Sequence, residues 1–133
     1  MGKLLEDMLT HLKSNIIINA NDGVDGFADI QPDQPDNCVA LIEYTGVPAF
    51  TADICQRSVQ VQVRDKVYDT ARAKAWTIFK LWYLPESDIR KIAFTSSRWG
   101  LVSMRTQPAK LRTDESGRTV FAFNMGITTA RDS

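Results

Sequence analysis

Hydrophobic and polar residues between positions 58 and 82 follow two different periods, one after the other. In the first part alternate positions are valine, as in a strand with one buried and one solvated face: Val59, Val61 and Val63. In the second part apolar residues recur every three or four positions, as in an amphipathic helix: Ala71, Ala75, Ile78, Phe79 and Trp82. The sequence therefore predicts a strand over 59–64 and a helix over 67–83 that packs against a sheet.

A second helical stripe lies near the N-terminus and is followed by a long polar segment. The stripe consists of Leu4, Leu5, Met8, Leu9 and Leu12. It predicts a short amphipathic helix over 3–14. From residue 19 to residue 37 the composition changes to Asn, Asp, Gly and Pro, which is typical of a loop. Loops of this length in a small domain tend to be functional or mobile.

Two further segments lie on either side of this strand and helix. Residues 38–44 are mostly apolar and predict a buried strand, which the turn residues 45–48 close. This strand is expected to pair antiparallel with 59–64, because the connection between them is short. Residues 86–98 show no clear period and receive no assignment.

The C-terminal third predicts a hairpin over 101–127. Residues 101–106 have strand character, and Pro108 interrupts it. The segment 114–117 supplies a tight turn, and 121–127 alternates aromatic or aliphatic residues with small or polar ones. Together with the earlier elements, this order predicts a single α+β domain over 1–133, with a mainly antiparallel sheet packed against two helices on one side.

Composition and charge narrow the class of protein. With 44% hydrophobic and 24% charged residues, the chain of 133 residues is that of an ordinary globular domain. Sixteen basic and sixteen acidic residues cancel, so no overall field favours nucleic acid or an acidic membrane. Basic residues gather in the C-terminal half: Arg90, Lys91, Arg98, Arg105, Lys110, Arg112 and Arg118. No aromatic residues interleave with them for base stacking, so we interpret them as a solvated or subunit-contacting face.

The sequence also favours a cytosolic product with no membrane partner. Its first residues lack the continuous apolar core of a signal peptide, and no apolar run is long enough to cross a bilayer. In a chain without an export signal, Cys38 and Cys55 are expected to be free, buried thiols.

No motif points to catalysis, a cofactor or a metal. His11 is the only histidine, and we read it as a surface or boundary residue rather than a general base. The acidic loop suggests calcium, but counting from Asn21 places Gly23 on a ligand position and Pro32 on the closing glutamate of an EF-hand. We therefore expect a solvated loop. A small hydrolase or nuclease remains an alternative, in which loop carboxylates meet in space and bind a divalent metal.

Two runs, VQVQVRDKVYDTARAKAW and RTQPAKLRTDESGRTVFAFNMGITT, resemble the minor capsid and tail terminator proteins of long-tailed bacteriophages. The resemblance covers about residues 58–129. It is carried by a strand that ends on a basic residue, a helix that opens with Tyr and Ala-Arg, a Gln-x-Pro, a Gly-Arg turn and a last aromatic strand. The positions are Arg64, Tyr68, Ala71, Arg72, Gln107, Pro108, Gly117, Arg118, Phe121 and Phe123.

The resemblance implies a structural role without catalysis. Such proteins form a ring, commonly hexameric, on the head-proximal end of the tail tube, where they stop tube growth and dock to the head. The implied partners are further copies of this chain, the tail tube protein and a head connector or stopper protein, with DNA only passing through the lumen. The implied location is the neck of the virion, after synthesis in the host cytoplasm.

Loop length and position suggest which segments make these contacts: 19–37, 46–57 and 107–119. The candidate interface residues are Asp25, Phe27, Arg64, Arg98, Trp99, Gln107, Arg112 and Arg118. Besides the metal-dependent hydrolase, two alternatives remain open. One is a head completion or connector adaptor protein of the same neck, and the other is a monomeric binding module that uses Trp99 and the basic residues beside it.

Overall fold

The computed structural model describes residues 4–15, 26–47, 54–83 and 90–130, which form two helices and seven strands. In chain order these are α1 Leu4–Ser14, β1 Gly26–Ala28, β2 Cys38–Val47, β3 Ile54–Asp65, α2 Tyr68–Trp82, β4 Arg90–Thr95, β5 Arg98–Met104, β6 Ala109–Thr113 and β7 Thr119–Ala130. Neither helix in the described part of the chain is long and apolar enough to span a membrane.

All seven strands belong to one sheet with the order β1-β2-β3-β7-β5-β4, and β6 also pairs with β7. The central pair is β3 with β7, in an antiparallel register that runs from Ile54 opposite Ala130 to Asp65 opposite Thr119. Of the strand pairs in the described part of the chain, β1 with β2 is the parallel one. The fold is thus broadly the predicted α+β class, although the sheet is mixed and strands predominate over helices.

The valine alternation in β3 divides the sheet into two faces. Val59, Val61 and Val63 lie on the face that the helices cover, which we call the front face, opposite Met125, Phe123 and Phe121 of β7. The intervening side chains of both strands point to the opposite side, the back face, because strand side chains alternate. The front face and the apolar stripes of both helices together form one hydrophobic core, as the two periods predict.

The helix predicted over 67–83 is confirmed as α2, within one residue at each end. The Asp65 carboxylate accepts a hydrogen bond of 2.9 Å from the backbone N–H of Val67 and so closes the short connection between β3 and α2. Its core residues are buried as predicted, and α1 is confirmed over most of 3–14.

His11 links the two helices through the core edge. The indole Nε1 of Trp82 donates a hydrogen bond of 3.0 Å to His11 Nδ1, and the Phe94 ring packs edge-on against both rings. His11 is therefore a partly buried boundary residue with a structural contact. Neither cysteine is in a disulfide; Cys38 is buried and Cys55 is half-buried.

Three sequence assignments differ from the structure. The segment 19–37 contains β1, a strand of three residues that is too short to show a period. The segment 46–57 is mostly strand in its described part, because β2 continues to Val47 and β3 begins at Ile54. Its residues 48–53 lie outside the described residues, as do 16–25 and 84–89.

The segment 101–127, predicted as one two-stranded hairpin, contains parts of three strands, β5, β6 and β7. β5 and β6 lie end to end along one edge of β7, with β5 opposite residues 125–129 and β6 opposite 119–122. Arg105 and Thr106 bridge them, since both backbone N–H groups donate to the carbonyl of Asn124. The unassigned segment 86–98 contributes β4, which pairs antiparallel with β5.

Candidate functional site

Residues 29–37, which we call the strap, connect β1 to β2 along the back face. Two neighbouring parallel strands require such a return connection. Three arginines reach the strap: Arg64 from β3, Arg118 from the position just before β7 and Arg112 from β6. Arg64 and Arg112 both lie opposite Val120, and Arg118 is two residues before it, so strand alternation places all three on the same face.

Arg118 is the main anchor of the strap. Its residue is 3% exposed, and its guanidinium contacts three aspartates. Nη2 lies 3.2 Å from Asp33 Oδ1, Nη1 lies 3.4 Å from Asp36 Oδ1 and also donates to the Asp33 carbonyl, and Nε lies 2.8 Å from Asp114 Oδ2. Asp114 in turn accepts hydrogen bonds from the backbone N–H groups of Ser116 and Arg118. One buried cation thus joins the strap to the turn between β6 and β7.

Arg64 holds the strap through its backbone. Its Nη2 donates a 2.6 Å hydrogen bond to the carbonyl of Pro35, and its Nε donates one of 3.2 Å to the carbonyl of Asp36. Lys66 adds a 3.0 Å ion pair with the Asp36 carboxylate. The expectation of a solvated acidic loop is wrong for Asp36, whose half-buried carboxylate pairs with Lys66 and Arg118. Asp33 pairs with Arg118, but its side chain is 86% exposed and remains solvated as expected.

These contacts shift the ionisation of the groups involved. The hydrogen bond from Lys66 holds the pKa of Asp36 below its ordinary value, with further help from Arg118 and against a smaller effect of burial. Burial alone raises the pKa of Asp114, but hydrogen bonds from the backbone and guanidinium of Arg118 outweigh it and leave the pKa lowered. For Arg118 burial lowers the pKa, and the carboxylates of Asp114 and Asp33 more than reverse this.

We expect the strap to loosen in acid. Because the folded-state pKa values of Asp36 and Asp114 lie below the ordinary value of 3.8, the stabilisation is complete above that pH and is lost as the pH falls through the folded values. Hydrogen exchange of the strap amides, corrected for intrinsic pH dependence, measures this between about pH 6 and about pH 3. In Asp36→Asn, acidification is expected to increase hydrogen exchange of the strap amides by a smaller factor. Corrected exchange that stays constant over this range in the unmodified protein would contradict the prediction.

A third buried arginine, besides Arg64 and Arg118, lies at the other end of β7. Arg98 of β5 is 4% exposed, and its Nε donates a 3.0 Å hydrogen bond to the carboxylate of Asp7 in α1. Its Nη1 donates to the carbonyl of Ala130 at 2.7 Å. The adjacent Trp99 is half-buried, and its carbonyl accepts a 2.6 Å hydrogen bond from the Thr129 hydroxyl. Arg98 thereby ties α1 to two strands of the sheet.

The candidate interface residues are thus separated into groups. The structure brings Arg64, Arg112 and Arg118 together around the strap and puts Arg98 and Trp99 at the far end of β7. Arg64, Arg98 and Arg118 are buried and bound within their own chain, whereas Gln107 and Arg112 are exposed and Phe27 is half-buried. Asp25 lies outside the described residues. That any of them contacts another subunit stays a prediction.

An exposed groove between α2 and the connection from β5 to β6 was not predicted. It has a volume of about 440 Å³ and is lined by Trp76, Phe79, Tyr83, Met104, Arg105, Thr106 and Gln107. We call it the aromatic groove. Trp76, Phe79 and Tyr83 lie at helical spacing, a signal that the sequence contained, but their role depends on residues from a distant segment.

Within the described ranges, no group of three or more His, Cys, Asp or Glu side chains is placed to hold a metal ion. The best-defined charged cluster, around Arg118, has its carboxylates neutralised by arginine and lysine. Such an arrangement fixes a loop on a sheet, and its chemistry is that of a scaffold.

Comparison with known proteins agrees with this scaffold. The model of a family described as bacteriophage tail terminator protein matches residues 16–131. This match includes the whole segment, about 58–129, on which the sequence resemblance rests. No curated protein sequence matches the chain significantly.

Proposed function

Because the chain belongs to the bacteriophage tail terminator family and is thus a structural component of the phage tail, we propose that it caps the head-proximal end of the tail tube. In this proposal several copies, most simply six as the resemblance implies, form a ring that ends tube polymerisation and then docks to the head connector or stopper protein. The match over residues 16–131 is the observation that carries the proposal.

The described surface is consistent with a ring subunit. A ring of identical chains requires a heterologous contact, in which one patch fits a different patch on the next copy. The chain exposes large hydrophobic residues at separate places, among them Ile30, Tyr68 and Leu111. β6 is exposed along its whole length, and among the described strands it pairs with β7 alone, on one of its two edges. An unpaired strand edge is typical of surfaces that become buried on assembly.

The remaining parts of the proposal concern partners and location. The tail tube protein is the partner on one side of the ring, and the head connector or stopper is the partner on the other, while DNA only passes through the lumen. The protein is made in the host cytoplasm and enters the virion neck. Gln107 and Arg112, the exposed members of the candidate interface set, are the first positions at which to test these contacts.

A tube-growth assay tests the capping role. Tube protein that polymerises with this chain present is expected to give short tubes with a narrow length distribution in electron micrographs, because capped ends add no subunits. The same concentration of heat-denatured chain serves as the control. Tubes that grow to the same lengths with and without the native chain would contradict a terminator.

Binding to purified tubes or to heads distinguishes a terminator from a connector adaptor. A terminator binds purified tubes in the absence of heads, whereas an adaptor binds portal-bearing heads and ignores tubes. Co-sedimentation with each particle decides between them, and binding to heads alone would replace the proposal with the adaptor alternative.

A further inference from the structure

The described strands give the back face of the sheet basic side chains and no acidic ones. Its basic residues come from β3, β4 and β6 and from the position just after β5: Arg64, Lys91, Arg112 and Arg105. The acidic residues of the described strands are Glu43 and Asp65. Both lie on the front face, because Glu43 is opposite Val59 and Asp65 is two residues beyond Val63. A carboxylate that neutralises the back face must therefore come from outside these strands.

The strap supplies such carboxylates to one half of the back face. Asp33 and Asp36 both contact Arg118, and Asp36 also contacts Lys66. The strap is thus an acidic segment that lies over basic residues of the sheet. The other half of the back face, over β4, β5 and the end of β7, carries Arg105 and Lys91. In the described part of the chain no carboxylate contacts either of these two side chains.

A cavity of about 240 Å³ lies on this second half of the back face. We call it the arginine pocket, and its polar lining residues are Gln56, Ser103, Arg105 and Thr128. All of its lining residues other than Arg105 are uncharged. The arginine pocket thus combines one cation with two hydroxyls and an amide, all of which can bind an acceptor oxygen.

The fold fixes the Arg105 guanidinium in this pocket. Its Nη1 donates a 2.6 Å hydrogen bond to the hydroxyl of Ser58, which is a neutral acceptor. The guanidinium lies over Gly126, where a Cβ would come within 2.8 Å of Nη2. Nε and Nη2 have no hydrogen-bond partner among the described residues, whereas Arg57 and Arg98 each bind a carboxylate of their own chain. Arg105 is therefore a positioned cation that still has N–H groups to donate.

We propose that the arginine pocket binds a carboxylate side chain from an acidic, extended segment of a partner protein, which covers this half of the back face as the strap covers the other. A carboxylate is planar and accepts paired N–H bonds from one guanidinium. Lys91 lies opposite Leu101, which lines the pocket, so a segment that crosses the strands there can contact both cations. The site needs one copy of the chain and stands apart from the proposed ring.

The same features favour a carboxylate over the phosphates of a nucleic acid. Binding to nucleic acid takes its affinity from several cations spaced along the strand. The arginine pocket holds one arginine, and the side chains beside it on β3 and β7 are neutral: Gln56, Ser58, Gln60, Asn124 and Thr128. Within the same face, the carboxylates of the strap show that its cations accept acidic side chains.

Binding of a labelled model peptide tests this site. The probe is a peptide of about eight residues in which glutamate alternates with serine, and its matched control has glutamine in place of every glutamate. In fluorescence anisotropy at low salt, the glutamate peptide is expected to bind the unmodified chain about tenfold more tightly than the glutamine peptide, because only a carboxylate makes charge-assisted hydrogen bonds with Arg105. Equal affinities for the two peptides would overturn the proposal.

Three variants show whether the peptide binds at the arginine pocket. Arg105→Gln is expected to weaken binding of the glutamate peptide about tenfold. Arg72→Gln removes the same charge from an exposed position on α2 and is expected to change binding by less than about twofold. Gly126→Ala keeps the net charge, but its Cβ displaces the guanidinium, so binding is expected to weaken about threefold or more. Circular dichroism confirms that the variants fold.

Two results would overturn the proposal even if the glutamate peptide binds. Equal weakening in Arg105→Gln and Arg72→Gln would mean that net charge alone attracts the peptide. An oligothymidylate of about eight nucleotides that binds more tightly than the peptide, and loses this affinity in Arg105→Gln, would assign the pocket to phosphates. Because these measurements contain no tail tubes, their outcome leaves the capping role to the tube-growth assay.

Discussion

Replacing Arg98 with methionine is expected to destabilise the fold by about 3–5 kcal/mol, the usual cost of removing one partner from a buried ion pair. The Asp7 carboxylate would be left in a buried site without its cation, and the Ala130 carbonyl would lose its donor. Chemical denaturation followed by tryptophan fluorescence measures the loss.

Two further variants show whether the loss of stability comes from the buried Asp7–Arg98 pair. Arg72→Met changes an exposed arginine of α2 and is expected to stay within about 0.5 kcal/mol of the unmodified chain. The double variant Asp7→Leu/Arg98→Met is expected to recover much of the lost stability, because apolar residues can replace a buried pair at little cost. An Arg98→Met variant within about 1 kcal/mol of the unmodified chain would show that the pair is not a main support of α1.

The second large effect is expected at Arg118, where one methionine substitution removes the common partner of Asp33, Asp36 and Asp114. Of the basic side chains that hold the strap, Arg64, Lys66 and Arg112 then remain. We expect hydrogen exchange of the strap amides to accelerate about tenfold or more, because local opening no longer has to break this cluster.

Where hydrogen exchange accelerates in the Arg118 variant is as informative as how much it accelerates. Exchange in the central β3–β7 ladder is expected to change much less than exchange in the strap, and Arg72→Met is again the control. Equal acceleration throughout the sheet would mean that Arg118 supports the whole fold rather than the strap. Unchanged strap exchange would mean that the remaining contacts hold the strap without Arg118.

The sequence alone was sufficient to predict those helices and strands that a local hydrophobic period determines. The valines of β3 and the apolar stripe of α2 specify their elements and their buried faces without help from distant residues. β1 could not be found in this way, since three residues carry no period and the strand forms only through its parallel pairing with β2.

The burial of Arg64, Arg98 and Arg118 could not be read from the sequence, because arginine is usually exposed and partner positions leave no local pattern. Arg98 binds Asp7 across 91 residues of sequence. The aromatic groove could not be predicted for the same reason. Its three aromatic residues lie at helical spacing on α2 and the residue just after it, but Met104 and Gln107 complete it from the other half of the chain. Long-range tertiary contacts, rather than local preferences, place both features.

The central position of β7 has a consequence for biosynthesis. This strand pairs with β3, β5 and β6, so none of those three can complete its hydrogen bonding until residues 119–130 have left the ribosome. Pairing across such a sequence separation also makes folding comparatively slow. A nascent chain interrupted before residue 119 lacks its central ladder and the Phe123 ring beneath the groove. Fragments that end before residue 119 therefore cannot form the sheet on which both the core and the strap depend.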